Sequence, residues 1–234
     1  MRNSKVNILC TAPADDVFTG FDGIHVDFIP FIGVRWRTPE EIGNITRPYL
    51  KFPYWIFTSG NAVKAVAENV PDKPAAKIYC VGEQTSKSIQ RYFGANSIEG
   101  VAGSAAELAT RIISDGQTGE LIFFCGKDRR NELPHILAKS GIKVKEVIVY
   151  ETVTLNHKVD KRYDGILFFS PSGVKSFFKQ NNINQSTILF GIGETTISEL
   201  KVYSINQIIK AEQTSKNTLL EQAVNYFRVK IAAS

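Results

Sequence analysis

The fold of this chain is decided by a short stretch that occurs twice. Residues 57–63 read Phe57-Thr58-Ser59-Gly60-Asn61-Ala62-Val63, and residues 168–174 read Phe168-Phe169-Ser170-Pro171-Ser172-Gly173-Val174, an offset of 174 − 63 = 111 positions. Each copy passes from an apolar run through a serine suited to a helix N-cap and into helical periodicity. The same offset relates Val81-Gly82-Glu83-Gln84-Thr85 to Ile192-Gly193-Glu194-Thr195-Thr196. A tandem duplication of strand–helix units is therefore predicted.

The whole chain alternates short β-type runs with helix-type periodicity. The strand candidates are Val6–Cys10, Ile24–Ile29, Tyr54–Thr58, Lys77–Val81, Leu121–Cys125, Val144–Tyr150, Gly165–Phe169, Thr187–Ile192 and Val202–Ile205. Their alternation with helical segments predicts an α/β fold with parallel sheets. Asn7–Cys10 also resembles Leu121–Cys125 more loosely, so two similar half-chains account for nearly the whole length. The repeat by itself would divide them near residue 118.

The composition is typical of a globular protein. The 234 residues are 43% hydrophobic and 22% charged, and their net charge of +5 is dispersed, which argues against nucleic-acid binding. No run approaches the roughly 18 apolar residues of a membrane span, and no apolar signal core follows Met1–Lys5. Cys10, Cys80 and Cys125 lie in apolar runs, which predicts core residues in a reducing compartment. We therefore expect a soluble cytoplasmic protein without membrane contact.

Six predicted strand-to-helix junctions carry small polar residues. They are Thr58-Ser59-Gly60, Gly82 to Thr85, Gly103-Ser104, Ser170-Pro171-Ser172, Gly193 to Thr196 and Thr214-Ser215. Backbone N–H groups at helix N-termini bind carboxylates or phosphates, although plain helix capping explains any single serine equally simply. Six junctions in two matched sets, at the carboxyl ends of parallel strands, favour an anionic ligand. Glu83 and Glu194 would oppose such a ligand and are expected to face solvent.

Several familiar sites fail on residue spacing. Gly191-x-Gly193-x-x-Thr196 lacks the third glycine of a dinucleotide loop, and Gly126-Lys127-Asp128 lacks the flanking residues of a phosphate loop. His25, His135 and His157 lie in unrelated segments, so neither a metal nor another cofactor is expected. No nucleophile motif is present in the sequence. Tyr150, at the end of an apolar run, is left as either a proton donor or a structural tyrosine.

Taken together, these residues resemble uroporphyrinogen-III synthases, a family of cofactor-free enzymes that close the tetrapyrrole ring. The resemblance rests on Phe57-Thr58-Ser59-x-Asn61-Ala62-Val63, Val81-Gly82-x-x-Thr85, Ser104-Ala105-x-x-Leu108, Val149-Tyr150-x-Thr152, Phe168 to Val174 and Ile192-Gly193-x-Thr195-Thr196. Phe124-Cys125-Gly126 followed by Arg130 also fits the family. The chain departs from it at Thr11-Ala12-Pro13, where many bacterial members read Thr-Arg-Pro.

The resemblance implies two flavodoxin-like lobes with parallel sheets, internally duplicated and joined by a two-stranded connector. Residues 1–33 and 155–234 would form a discontinuous lobe 1, and residues 38–150 would form lobe 2. Residues 34–37 and 151–154 would be the connector. This division differs from the boundary that the repeat alone suggests.

The substrate implied is hydroxymethylbilane, a linear tetrapyrrole with eight carboxylates, which the family cyclises with loss of water and inversion of ring D in haem biosynthesis. Tyr150 matches the family's tyrosine and is implied to assist departure of the hydroxyl group. The residues implied to bind substrate are Ser59, Gly60, Gly82, Thr85, Gly103, Ser104, Arg130, Ser170, Ser172, Gly193, Thr195 and Thr196. We expect a monomer that needs no metal or other cofactor and does not bind nucleic acid.

Two other functions are compatible with the same sequence. The first is a non-enzymatic two-lobed module that binds an anionic ligand or a tetrapyrrole. The second is a regulatory flavodoxin-like domain, for which Asp15-Asp16 would have to be the acidic phosphoacceptor cluster, although that pair is poorly placed after the first strand.

Overall fold

A computed structural model describes residues 6–14, 23–70, 75–213 and 215–232. Asp15, Asp16 and Thr214 lie outside the described residues. Contacts divide the chain into two units: unit 1 comprises the described residues within Met1–Gly33 and Val153–Ser234, and unit 2 comprises those within Val34–Thr152. The chain crosses from one unit to the other within β3 (Ile32–Trp36) and β8 (Val144–Thr154), which are neighbouring strands of one sheet.

Unit 1 contains a five-stranded sheet with three described helices. The strands are β1 (Val6–Cys10), β2 (Ile24–Phe28), β9 (Gly165–Phe168), β10 (Ile188–Gly191) and β11 (Ile208–Lys210), in the order β11-β10-β9-β1-β2. All four pairings between neighbours are parallel. The helices are α6 (Pro171–Phe178), α7 (Gly193–Tyr203) and α8 (Lys216–Ala232). Numbered along the chain, the strands follow the order 2-1-3-4-5, which is the flavodoxin-like order.

Unit 2 is built around the six-stranded sheet β3-β8-β7-β4-β5-β6. Its other strands are β4 (Tyr54–Phe57), β5 (Lys77–Val81), β6 (Ile98–Ala102) and β7 (Leu121–Gly126). Its helices are α1 (Pro39–Thr46), α2 (Gly60–Ala67), α3 (Glu83–Phe93), α4 (Ala105–Ser114) and α5 (Glu132–Lys139), with 3₁₀ turns at Arg47–Tyr49 and Ala95–Ser97. When β7 and β8 take the places of β1 and β2, the order matches that of unit 1, so unit 2 is a circular permutant with β3 added at one edge.

The structure confirms the predicted α/β fold and its duplication. β4, α2, β5 and α4 begin at residues 54, 60, 77 and 105, and β9, α6, β10 and α8 begin at residues 165, 171, 188 and 216. Every pair is 111 residues apart, as in 165 − 54. Gly82 and Gly193 also correspond, and both have a positive φ, of 84° and 70°. A side chain at either position would strain the turn into the following helix, because L-residues rarely adopt this conformation.

Each sheet is covered by apolar side chains on both faces. In unit 2, Trp55 and Phe57 of β4 pack on the side of α2 and α3, whereas Ile56 packs with Leu108 and Ile112 of α4 on the other side. This alternation follows from the two-residue period of a strand. Unit 1 repeats the arrangement, with one apolar cluster against α8 and another against α6 and α7. Burial on both faces explains why the central strands are almost wholly apolar.

The predicted strand at Val202–Ile205 is wrong. Residues up to Tyr203 complete α7, and Val202 and Ile205 are 74% and 97% exposed. The fifth strand of unit 1 is instead the three-residue β11, and its counterpart β6 in unit 2 was not predicted either. Both are edge strands, which bury less side-chain surface than central strands and therefore carry a weaker apolar pattern.

The three cysteines are core residues, as predicted. Cys10, Cys80 and Cys125 are all buried thiols that form no disulfide. Burial raises the pKa of Cys80 and of Cys125 to about 11. Both are therefore protonated and unreactive near neutral pH. In the described part of the chain, no helix combines the length and apolarity that crossing a membrane would require.

One polar cluster ties β2 to the segment that precedes β9 in unit 1. The carboxylate of Asp27 accepts hydrogen bonds from Lys161 Nζ at 2.7 Å, Tyr163 Oη at 3.0 Å and His25 Nε2 at 2.9 Å. Burial acts to raise the pKa of Asp27, but the hydrogen bonds from Lys161, Tyr163 and His25 outweigh it and lower the pKa below 3.8. Tyr163 is itself buried, and burial together with its bond to Asp27 raises its pKa.

We expect Asp27→Asn to lower the free energy of unfolding by about 1 kcal/mol at pH 7, because charge-assisted bonds to three groups are weakened. Since the folded-state pKa is depressed, this contribution is complete above the ordinary value of 3.8 and is lost as the pH falls below it. Urea unfolding at pH 7 and at pH 3 measures the difference. Asp160→Asn, at an exposed aspartate, serves as the control. A difference that persists unchanged at pH 3 would contradict this origin.

Candidate active site

The structure brings two of the predicted site residues into direct contact. The hydroxyl of Tyr150 in β8 donates to Ser59 Oγ at 3.1 Å, although 91 residues separate the two in the chain. Ser59 is the N-cap of α2 and also accepts a hydrogen bond from the N–H of Asn61 at 3.2 Å. The phenol oxygen therefore lies beside a helix N-terminus, where partial positive charge stabilises negative charge that develops on an oxygen. A partly buried hydroxyl held in this way is suited to proton donation.

Gly126 makes room for the ring of Tyr150. The two residues are partners in the β7–β8 ladder, immediately after a register shift between Cys125 and Gly126. A Cβ atom on Gly126 would lie 2.6 Å from Cζ of Tyr150 and 2.9 Å from its hydroxyl oxygen. The ring of Trp36 lies on the neighbouring strand β3, with its centroid 6.3 Å from that of Tyr150. An irregularity of this kind redirects a side chain at the end of a strand.

Residues next to Tyr150 are fixed by backbone and ionic contacts. The N–H of Lys127 donates to the carbonyl of Tyr150 at 3.0 Å. The carboxylate of Glu151 forms ion pairs with Arg35 and, at 3.4 Å, with Lys127. The hydrogen bond from Arg35 is the main reason that the pKa of Glu151 is lowered. Glu151 is therefore a charged anchor for the strand rather than a second proton donor.

A groove of about 550 Å³ opens beside Ser59 in unit 2. Its lining comes from α2 and α3 and comprises Ser59, Gly60, Asn61, Lys64, Glu68, Ser88, Arg91 and Tyr92. Sequence reasoning predicted Ser59 and Gly60 but missed Lys64 and Arg91, since exposed cations on helices usually face solvent alone. The only signal available was their position on the two helices that follow the predicted junctions.

The other predicted residues of unit 2 lie in the segments that follow its strands, and within the described ranges none of them hydrogen-bonds to Tyr150. Gly82 is the N-cap of α3, and Thr85 is buried in the first turn of that helix. At the third junction, Ser104 caps α4 and the carboxylate of Glu107 accepts from the N–H of Gly103 at 3.0 Å. That N-terminus is therefore already paired with an acid of its own helix. Arg130 is exposed in the turn between β7 and α5.

Unit 1 presents a second set of predicted residues. Ser170 caps α6 and accepts from the N–H of Gly173 at 3.1 Å, and Ser172 is exposed in the same turn. Gly193 begins α7, Thr195 is exposed and Thr196 is buried. Among the described residues, Ser170 has no phenol partner, so the two units share the cap but not the tyrosine.

The acids at the second junction of each unit face solvent, as predicted. Glu83 forms an ion pair with Lys87 at 2.7 Å, and Glu194 forms one with Lys210. These lysines lower the pKa of both carboxyl groups. Within the described ranges, no group of three or more histidine, cysteine or acidic side chains could hold a metal ion.

Similarity to known proteins extends over most of the chain. A family model described as Uroporphyrinogen-III synthase HemD matches residues 22–221. A uroporphyrinogen-III synthase of Saccharomyces cerevisiae is 29% identical over 246 positions, which cover 90% of this chain and 89% of that protein. The crystal structure of uroporphyrinogen-III synthetase from Helicobacter pylori matches with a TM-score of 0.69 and 20% identity, covering 94% of this chain and 99% of that one. A mutant synthase from Thermus thermophilus gives a TM-score of 0.62 at 12% identity, with 95% and 99% covered.

Proposed function

This chain belongs to the uroporphyrinogen-III synthase family, and we propose on that premise that Tyr150 is its catalytic proton donor. The enzyme is a lyase of tetrapyrrole and haem biosynthesis that cyclises hydroxymethylbilane, with loss of water and inversion of ring D. The observation that carries the role of Tyr150 is its hydrogen bond to Ser59 at the N-terminus of α2.

The first step breaks the bond between the terminal methylene carbon and its hydroxyl oxygen. The hydroxyl departs as water when it receives the phenol proton of Tyr150, and the remaining electron-poor carbon forms an azafulvene cation. For this transfer the phenol hydroxyl turns its proton from Ser59 Oγ to the substrate, and the Ser59 hydroxyl then donates to the phenol oxygen. That bond and the first turn of α2 stabilise the charge left on the phenol oxygen. Ring D then attacks through its substituted carbon, and the spiro intermediate fragments and recloses with that ring inverted. A proton lost from the cyclised product balances the one donated at the start.

The carboxylates of the substrate are proposed to bind at helix N-termini. In unit 2 the candidates are Ser59-Gly60 at α2 and Gly82 with Thr85 at α3, and in unit 1 they are Ser170 with Ser172 and Gly193 to Thr196. Free N–H groups in a first turn suit carboxylates, so neutral backbone can hold much of an octa-anion. Arg130 is exposed and can add a charged contact. Gly103 and Ser104 are the weakest candidates because Glu107 already occupies their N-terminus.

We also propose that the enzyme acts as a cytoplasmic monomer, without a metal, another cofactor or nucleic acid. Three buried thiols are compatible with a reducing compartment. Light scattering after size-exclusion chromatography tests the monomer, and activity in the presence of a chelator tests the independence from metal.

The reaction itself is tested by the product isomer. Hydroxymethylbilane cyclises without help to the uninverted isomer I, so we expect isomer III only when this protein is present. Chromatography of the oxidised products separates the two isomers. Isomer I alone, from protein that still binds the tetrapyrrole, would instead indicate a non-enzymatic binding module.

A further inference from the structure

The groove between α2 and α3 contains cationic side chains that the proposed mechanism leaves unused. Lys64 of α2 and Arg91 of α3 both line it, together with Ser59, the hydrogen-bond partner of Tyr150. α2 begins close to α3, since a Cβ on Gly60 would lie only 3.0 Å from Ser88 Oγ. Two cationic side chains therefore form part of the wall of a cavity that also includes the hydrogen-bond partner of the proton donor.

The single carboxylate in this lining is already engaged. Glu68 lies 4.0 Å from Lys64 Nζ and accepts a hydrogen bond from the hydroxyl of Tyr92 at 3.3 Å. Arg91, by contrast, has no carboxylate partner among the described residues, and its guanidinium lies 5.7 Å from the ring centroid of Tyr92. A guanidinium without a carboxylate partner, exposed beside a cavity, is the group best shaped to hold a carboxylate through two parallel hydrogen bonds.

The duplication provides an internal comparison. At the offset of 111, Lys64 corresponds to Lys175, Ser88 to Glu199 and Arg91 to Val202. In unit 1, Glu199 pairs with Lys175 at 3.5 Å, so the lysine is neutralised by its own fold. In unit 2 Ser88 stands in place of that acid, and Lys64 pairs instead with Glu68, which corresponds to Lys179. A second cation is present at Arg91. Both copies therefore carry one acid and two cations at these four positions, and in each copy a lysine is paired with the acid. What distinguishes unit 2 is that its second cation is Arg91, in the lining of the cavity.

We propose that Arg91 binds a carboxylate side chain of the tetrapyrrole in this groove. The proposal rests on the proposed function, which supplies a substrate with eight carboxylates. A carboxylate bound there would lie in the same groove as Ser59, so the groove contributes to substrate affinity. Backbone N–H groups and Arg91 then share the recognition of charge in unit 2.

Two substitutions test the groove, and each replaces a residue of unit 2 with the corresponding residue of unit 1. We expect Arg91→Val to raise KM for hydroxymethylbilane about tenfold with kcat changed less than about twofold, because a charge-assisted contact is lost. Ser88→Glu places a competing carboxylate in the groove and is expected to raise KM about 10- to 100-fold. The KM of wild type should also rise with salt more steeply than that of Arg91→Val. Arg91→Gln is a second variant that keeps a polar side chain.

Direct binding separates this inference from the proposed reaction. Equilibrium dialysis with uroporphyrin III, an octacarboxylate, should show about tenfold weaker binding by Arg91→Val and Ser88→Glu. Lys51→Gln, an exposed charge change of the same unit outside the groove, is the control and should bind like wild type. Unchanged KM and unchanged binding in folded Arg91 and Ser88 variants would overturn the groove while isomer III still formed. If the Arg91 and Ser88 variants bind uroporphyrin III more weakly but wild type forms no isomer III, the proposed reaction is overturned and the groove is not.

Discussion

Replacing Tyr150 with phenylalanine is expected to lower turnover about 10- to 100-fold, the lower range for a positioned proton donor. The substitution removes the hydroxyl that donates to Ser59 but keeps the ring that fills the space beside Gly126. Ser59 still caps α2, because its Oγ keeps the hydrogen bond that it accepts from the N–H of Asn61. The free energy of unfolding should therefore fall by no more than about 1 kcal/mol. Initial rates of isomer III formation and urea unfolding measure the two effects.

Tyr163→Phe is the reciprocal control. Its hydroxyl donates to Asp27 in unit 1, so its loss should cost about 1 kcal/mol of stability and leave turnover unchanged. We therefore expect Tyr150→Phe to lower mainly turnover and Tyr163→Phe to lower only the free energy of unfolding. Turnover of Tyr150→Phe equal to that of wild type would remove the phenol from the mechanism and leave Tyr150 as a structural residue of β8.

Most of the fold could be predicted because the same pattern of strands and helices occurs twice in the sequence. Strong apolar runs at β4 and β9, each followed by a capping serine, recur at the offset at which the structure places them. The edge strands β6 and β11 were not predicted because their pattern of apolar residues is weak. β6 contains Gly100, where a Cβ would lie 2.9 Å from the ring of Tyr79, so packing selects a residue with low strand propensity. At Val202–Ile205 a strand was wrongly predicted because the segment is rich in apolar residues, which are in fact exposed.

The site was predictable one residue at a time but not as an arrangement. Tyr150 and Ser59 were each identified from sequence, whereas their contact depends on strand order, on the register shift at Gly126 and on the direction of one ring. None of these is a local property of the chain. Arg91 was missed for a different reason: a charged residue near the end of a helix is ordinary until the cavity beside it is known. Unit 1 has Val202 at the corresponding position, so a cation at this place is particular to unit 2.

Gly126→Ala is expected to lower turnover nearly as much as Tyr150→Phe, about 10- to 100-fold, although it removes no functional group. The added methyl would lie 2.6 Å from the ring of Tyr150, closer than atoms can approach, so the ring must move. Because the ring is the far end of a side chain, it can turn away at a cost of about 1 kcal/mol in stability, and the bond to Ser59 is then lost. Rates and unfolding free energies are measured as for Tyr150→Phe.

The double variant shows whether Gly126 acts through the phenol. If it does, adding Gly126→Ala to Tyr150→Phe should lower turnover by no more than about twofold further, since the hydroxyl that the methyl displaces is already absent. Gly119→Ala is the matched control, because a Cβ there meets nothing within 4 Å. Fully multiplicative losses would mean that Gly126 and Tyr150 act independently. The register shift at Cys125/Gly126 would then be a feature of sheet packing, and the direction of the Tyr150 ring would need another cause.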